Sequence, residues 1–313
     1  MKKSIGFYCC SNGFGHFRRV LEVADLLKHN FNISIFCSIE QFNKFKALEE
    51  VEYNVSYREN IKWEKVISGN STEVIKNYFN NIEHFGKTVN NFDIVVSDNL
   101  IGLLEYRKDI IIMGSFLWKD VFKSYLGPNK LTDFDKNLID KHTPLILTNK
   151  YVETQSLKKY KNKVQFGFGC NKLPCIIPTN INHYLVNFSS LKYLPEYYNF
   201  TDNLKRVHKL KLSNNFDITK NTLMIARPGV GTITHCVENY IPLVALYSKK
   251  DSQEIIELAD IVEELGIGLK FDIDDPIDIL KFNYVRDGNI NLNNNFEKNG
   301  YSNIAAFIEK YEI

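Results

Sequence analysis

A chain of 313 residues that is 44% hydrophobic and 24% charged has the make-up of a folded globular protein, with room for two domains of roughly 150 residues each. Its formal net charge is +2 and no basic stripe interrupts the sequence, which argues against nucleic acid as the main partner. The six cysteines (Cys9, Cys10, Cys37, Cys170, Cys175, Cys236) form no CxxC pair and no zinc-spaced cluster with histidines, and no apolar stretch has the length of a signal peptide core or a membrane span. Reduced thiols and a cytoplasmic location are the expectation.

The first half alternates short apolar runs with helical patterns. Ile5 to Cys10 predicts a strand, followed by a glycine turn. Phe17 to Lys28 then sets Val20, Val23, Ala24 and Leu27 on one helical face. Strands follow at Ile33–Cys37, Tyr53–Tyr57, Asp93–Ser97, Ile110–Met113 and Leu145–Thr148, with helices near Gln41–Leu48 and Val74–Val89. Such alternation predicts parallel pairing through crossover helices, an α/β sheet.

A second unit is expected after Pro174 and Pro178, dividing the chain into 1–178 and 179–313. Its strands are read at Tyr184–Phe188, Val207–Leu212, Thr222–Ala226, Leu243–Tyr247 and Gly268–Phe271. Ile255–Leu265 is a helix stopped by Gly266, and Asn289–Asn295 is a loop or helix cap. A last helix over Ser302–Lys310 is expected, with the option of crossing back to the first domain.

Two glycine turns carry the chemistry. The first, Gly13-Phe14-Gly15-His16-Phe17-Arg18-Arg19, joins the first strand to the first helix. Glycines let the backbone approach a ligand, and the unpaired N–H groups of a helix start suit phosphate, which makes Gly13, Gly15 and Arg18 donor-binding candidates. It is neither a dinucleotide fingerprint, for the third glycine is missing, nor a Walker loop. His16 can take a proton from an attacking hydroxyl or water; its plainer role is to cap the helix.

The second turn, Arg227-Pro228-Gly229-Val230-Gly231-Thr232-Ile233-Thr234-His235, ends a strand and opens a helix near Thr232 or Thr234, where a diphosphate could sit with Arg227 as counter-charge. Glu238, one turn beyond His235, is placed for ribose hydroxyls or is a solvated helix residue. Asp251 and Gln253, after the strand that begins beyond Pro242, either bind sugar hydroxyls or belong to an N-capped helix start.

These turns resemble those of the GT-B glycosyltransferases, in particular the predicted transferases that read Gly-x-Gly-His-x-x-Arg in the first domain and Gly-x-Gly-Thr-x-x-Glu, then Pro and a strand, in the second. That group includes the transferase-like region fused to plant arabinokinases and is more distantly similar to glycosyltransferase family 28. Val95-Val96-Ser97-Asp98, Met113 to Trp118 and Asn299 to Ala305 are similar as well. One position departs: His235 stands where the group has glutamate. His235 or Glu238 then bonds the ribose, or donor binding is altered or lost.

The resemblance implies two Rossmann-like domains with parallel sheets facing a central cleft, the acceptor on the first and the nucleotide-sugar donor, a UDP-sugar foremost, on the second. It implies an inverting transfer of a hexosyl or N-acetylhexosaminyl group to a glycan, lipid or protein hydroxyl, with His16 as base, Asp98 orienting it, and Ser115 and Trp118 on the acceptor side. Helix N–H groups and Arg227 would carry the leaving diphosphate without a metal or other cofactor. The triplets Asp133-Phe134-Asp135 and Asp272-Ile273-Asp274 are read as loop-like accidents, not metal ligands. Competing readings are a nucleotide-sugar hydrolase similar to the one of pseudaminic acid synthesis, a nonhydrolysing 2-epimerase, and a binding subunit without catalysis. The stretch Phe116, Leu117, Trp118, Phe122, Tyr125, Leu126, with Lys119 and Lys123, is a core or pocket wall, or else a peripheral membrane contact. Oligomeric state is not legible.

Overall fold

The computed structural model describes residues 2–11, 13–46, 54–58, 66, 69, 71–170, 183–187, 195–206, 212–213, 222–278, 281, 285 and 296–311. Two compact units result: residues 1–166 with 300–313, and residues 167–299. The expected boundary at 178/179 and the loop at Asn289–Asn295 lie outside the described residues.

The first unit is built on β1 (Ser4–Cys9), β2 (Asn32–Ser38), β3 (Asn54–Arg58), β4 (Ile94–Asp98), β5 (Ile111–Met113), β6 (Ile146–Asn149) and β7 (Lys163–Phe166). All pair in parallel in the order β3-β2-β1-β4-β5-β6-β7. The order reverses between β1 and β4, where Cys9 lies opposite Asp98. At such a switch point the flanking loops part and leave a crevice beyond the strand ends, the usual place for a ligand in an open α/β sheet.

Both faces of this sheet are covered. On one lie α1 (Gly13–Leu27) and α10 (Gly300–Lys310), whose Val20, Val23, Ala24, Ile304 and Ile308 bury with Ile5, Phe7 and Val96. On the other lie α3 (Ser71–Gly86), α4 (Trp118–Leu126) and α5 (Lys130–His142), burying Tyr78, Ile82, Trp118, Phe122 and Leu138 against Tyr8, Val95 and Ile112. Alternation along each strand distributes its side chains between the two layers. Helix α2 (Ile39–Lys46) follows β2, and the short α6 (Gln155–Lys158) follows β6.

The second unit contains β8 (His183–Asn187), β9 (Leu212–Ser213), β10 (Thr222–Ala226), β11 (Leu243–Tyr247) and β12 (Gly268–Asp272), parallel in the order β12-β11-β10-β8-β9. Helices α7 (Pro195–Arg206), α8 (Val230–Asn239) and α9 (Gln253–Glu264) connect them. Gly266, at φ 65°, turns the chain out of α9 as its sequence position suggests. Of the strand expected at Val207–Leu212, only its end falls on described residues.

Three expectations change. Helix α1 begins at Gly13 rather than Phe17, and α8 at Val230 rather than near Thr232 or Thr234. In both, glycines that read as a turn belong to the first helical turn or cap it, where N–H groups are unpaired in any case. The Asp133–Asp135 triplet is helical, not loop-like: Asn129 caps α5 through a capping box with Thr132, and Leu131, Leu138 and Ile139 bury one face. The aromatic stretch is core: Phe116, Leu117, Trp118 and Phe122 are buried and Tyr125 and Leu126 pack against the same cluster. No helix among the described residues is long and apolar enough to cross a membrane. Cys9, Cys10, Cys37, Cys170 and Cys236 are buried and unbridged.

Asp135 is fully buried and accepts a 2.6 Å hydrogen bond from the Tyr78 hydroxyl, while its Oδ2 has no partner among the described residues. Burial pushes its carboxyl up to about 7, against the pull of Tyr78 and Lys119. A raised acid holds its proton longer in the folded than in the unfolded chain. Its contribution is therefore complete below the ordinary value of 3.8 and is lost as pH rises through about 7. Urea titrations across that window are expected to lose up to roughly 4 kcal/mol from this group. Asp135→Asn should remove this component of the slope; an unchanged slope would assign it elsewhere.

Candidate active site

His16 lies in the first turns of α1, directly after β1, and Asp98 is the last residue of β4. Because β1 and β4 are neighbours in register, the helix start and the strand end converge. His16 Nδ1 lies 2.7 Å from Asp98 Oδ2, with the imidazole 13% exposed and the carboxylate fully buried. With Nδ1 carrying its hydrogen toward the carboxylate, Nε2 is left as the basic nitrogen, the arrangement of a histidine base held by an acid.

Asp98 has a second partner. Its Oδ1 is ion-paired with Arg19, one helical turn beyond His16. Burial alone would raise the Asp98 carboxyl, but Arg19 and His16 outweigh it and hold it below the usual carboxylate range. Burial works against the Arg19 guanidinium, yet Asp98 and Tyr301 of α10 keep it firmly charged. Cys9 Sγ, 3.9 Å from Asp98 Oδ2, is pushed well up by burial and by that carboxylate, which keeps the thiol neutral.

An aromatic wall flanks the histidine. The Trp118 ring centroid is 5.7 Å and that of Phe116 6.0 Å from the imidazole. The segment bearing them is fixed from both ends. Asn99, in the left-handed region at φ 64°, donates to the Phe116 carbonyl at 2.7 Å, and the Thr154 N–H donates to the Ser115 carbonyl at 3.0 Å. Trp118 is thus beside the dyad, and both it and Ser115 are buried.

The other first-turn residues separate. Gly13 opens α1, and at Gly15 a Cβ would meet nothing within 4 Å, so the backbone there borders open space. Arg18 points away from His16: its exposed side chain pairs with Glu22 at 3.6 Å along the helix. Arg19 is the arginine that shares a face with His16. The signal for it was available, since residues three apart on a helix are neighbours on one face and the Gly-x-Gly-His-x-x-Arg pattern ends on Arg19.

In the second unit, β10 ends at Ala226 and Gly229 caps α8. Pro228 is buried, Val230 and Thr232 are half-buried and Gly231 is exposed at the helix start. The Arg227 guanidinium lies 2.5 Å from Asp251 Oδ1. The other oxygen of that carboxylate accepts from the Tyr197 hydroxyl and, at 2.9 Å, from the Ser248 N–H. Asp251 is therefore a buried anchor for Arg227 rather than an open acceptor for sugar hydroxyls. Burial and Asp251 drive the Tyr197 hydroxyl far up, so it acts as a donor. Glu254, three residues along, is pushed up to about 7 by desolvation, with Arg227 opposing and Asp251 adding. Glu254 belongs to the polar run Lys250-Asp251-Ser252-Gln253-Glu254 after the strand, whereas Tyr197 had no local signal in the sequence.

Gln253 is exposed at the start of α9, its amide 3.3 Å from Glu257. His235 is tied along α8 to Asn239, which donates to its backbone carbonyl at 2.9 Å and lies 3.3 Å from its ring. Glu238 is half-buried one turn further on. Among the described residues no cluster of His, Cys, Asp or Glu could hold a metal ion.

No protein-family model matches the chain, and no curated protein matches its sequence. Solved structures do match in fold. The glycosyltransferase of kitacinnamycin is 12% identical, with 99% of each chain covered and a TM-score of 0.59. Arabidopsis thaliana UGT89C1, solved with UDP-L-rhamnose, is 9% identical over 98% of this chain and 94% of that one, with a TM-score of 0.59. Acinetobacter baumannii MurG is 10% identical over 98% and 100%, with a TM-score of 0.58. The chain therefore has the GT-B fold of these glycosyltransferases, two Rossmann-like α/β units built on parallel sheets.

Proposed function

We propose that the protein is a cytoplasmic glycosyltransferase that moves a hexosyl or N-acetylhexosaminyl group from a nucleotide-sugar, UDP-sugars first, to an acceptor hydroxyl, with inversion and without a metal. The observation that carries this reading is the 2.7 Å bond between His16 Nδ1 and the buried Asp98 carboxylate, at the strand ends of a GT-B fold. With Nδ1 turned to Asp98, Nε2 beside an apolar wall is suited to take the proton of an attacking hydroxyl. As the acceptor oxygen bonds to the anomeric carbon, the bond from that carbon to the diphosphate breaks. The proton passes to His16 and the charge leaves with the nucleotide. Asp98 stabilises the imidazolium that forms.

The leaving charge falls to the second unit. N–H groups at the start of α8, from Val230 onward, and the Arg227 guanidinium suit a diphosphate. That UGT89C1 was solved with UDP-L-rhamnose supports the donor class. Gly13 and Gly15 would let the donor approach α1, Gln253 and Glu238 or His235 would take sugar and ribose hydroxyls, and Ser115 and Trp118 would shape the acceptor side. The acceptor itself would be a glycan, lipid or protein hydroxyl.

The test is calorimetry of the full chain against UDP-, GDP-, CDP- and dTDP-sugars, followed by nucleotide release with and without an acceptor pool. Donor binding with sugar recovered on an acceptor supports transfer. Free sugar released at the same rate without acceptor identifies a hydrolase. No binding to any donor overturns the enzyme reading.

A further inference from the structure

The Asp98 carboxylate is shared between two groups on one face of α1. Oδ2 faces His16 Nδ1 at 2.7 Å and Oδ1 is ion-paired with Arg19. The Arg19 nitrogen also lies 3.4 Å from His16 Nδ1. With Nδ1 protonated toward Asp98 that approach is no hydrogen bond, but it places a permanent cation beside both members of the pair. A bare histidine–carboxylate dyad carries one negative charge; this cluster, with a neutral imidazole, carries none.

We propose that Arg19 is a positioning residue for the His16–Asp98 pair: it occupies one carboxylate oxygen, turns the other to Nδ1, and sets how far into acid the pair keeps its base form. The inference rests on the reading of His16 as the base. The electrostatic argument does not depend on which group is protonated first. Whether a proton enters at the imidazole or at the carboxylate, the pair becomes one unit more positive beside a guanidinium that cannot give up its own charge. Arg19 opposes both events, so its removal must favour both.

Among the described residues, the other titratable groups around the cluster do not substitute for it. From β1, Cys9 is 3.9 Å from Asp98, with Cys10 and, on β2, Cys37 behind it; the Cys9 thiol is held neutral. From α10, Tyr301 faces Arg19. The segment before and into α4 contributes the uncharged rings of Phe116 and Trp118. Arg18, the neighbouring cation, is turned to Glu22.

The decisive experiment reads the dyad without substrate. In histidine-labelled full-length protein, the hydrogen shared by Nδ1 and Asp98 should give a low-field proton resonance, assigned among the seven histidines by its absence in His16→Ala. Its pH dependence is followed in wild type, Arg19→Gln and Arg19→Lys. In Arg19→Gln the midpoint of the spectral change is expected to move upward by about one pH unit or more, the direction dictated by loss of a nearby cation. In Arg19→Lys, which keeps the charge, it should stay close to wild type.

An unmoved midpoint in folded Arg19→Gln overturns the proposal. So does an upward move in Arg19→Lys as large as that expected for loss of the charge, and that variant decides the matter should Arg19→Gln not fold. Donor turnover is measured in parallel. A shifted midpoint in a protein that turns over no nucleotide-sugar leaves Arg19's control of the pair standing and removes the catalytic reading. His16-dependent turnover with an unmoved midpoint does the reverse.

Discussion

Replacing His16 with alanine is expected to lower sugar transfer by about two to four powers of ten while leaving donor affinity within about threefold of wild type. The asymmetry follows from where the residue sits. The proposed diphosphate contacts belong to Arg227 and the start of α8, in the second unit, whereas His16 touches Asp98 and faces the rings of Phe116 and Trp118 in the first. Its loss removes the proton acceptor and spares the groups that would hold the nucleotide. Asp98→Asn should fall in the same direction, because an amide can turn its NH2 toward Nδ1 and impose the wrong tautomer. Product formation in a single turnover, with donor binding measured by calorimetry, separates the two quantities. Full activity in His16→Ala would remove the residue from the chemistry, and an equal loss of binding and rate would make it a donor ligand.

A different kind of loss is expected at Asp251. Substitution by alanine should lower the free energy of unfolding by about 3–5 kcal/mol, because it takes a buried carboxylate away from a half-buried cation and two hydrogen-bond donors at once. Arg227 loses its 2.5 Å partner, the Tyr197 hydroxyl loses its acceptor, and the Ser248 N–H loses a 2.9 Å bond. Asp251→Asn, which keeps an acceptor oxygen but no charge, should fall between the two. Urea denaturation of the three proteins checks the order. If Asp251 served chiefly to bind sugar hydroxyls, alanine would weaken donor binding and leave the urea midpoint where it was.

Much of the fold is legible from the sequence, and the reasons it is legible are local. Thr222–Ala226 and Leu243–Tyr247 are apolar runs closed by Arg227-Pro228-Gly229 at one end and polar residues at the other, and they match β10 and β11 to the residue. The convergence of His16 and Asp98 is legible for a similar reason: a parallel sheet brings the start of α1, just past β1, and the end of β4 to one edge. The choice between Arg18 and Arg19 is harder, since adjacent arginines look alike in composition and only the helical phase, counted from His16, separates them. Asp251 is harder still. A polar residue beyond a strand end reads as a ligand or as a helix cap, and nothing nearby announces that Arg227, 24 positions back, and Tyr197, 54 back, close around it. Asp135 failed for want of tertiary context, because a charged triplet reads as solvated until Tyr78 is found beside it.

The division of the first unit between 1–166 and 300–313 has a consequence for how the molecule comes into being. Helix α10 supplies Ile304, Ala305 and Ile308 to the layer that buries Val20, Val23 and Ala24 of α1. When residues 1–166 have left the ribosome, that layer still lacks one of its helices. It must wait while all of 167–299 is made, a delay on the order of ten seconds at ordinary synthesis rates. The second unit is continuous in the chain, so it can close as it emerges. Completion thus runs opposite to synthesis, and the half of the chain carrying His16 and Asp98 is the last to be sealed. In the interval the nascent protein presents an apolar seam along α1, the surface a chaperone would find first.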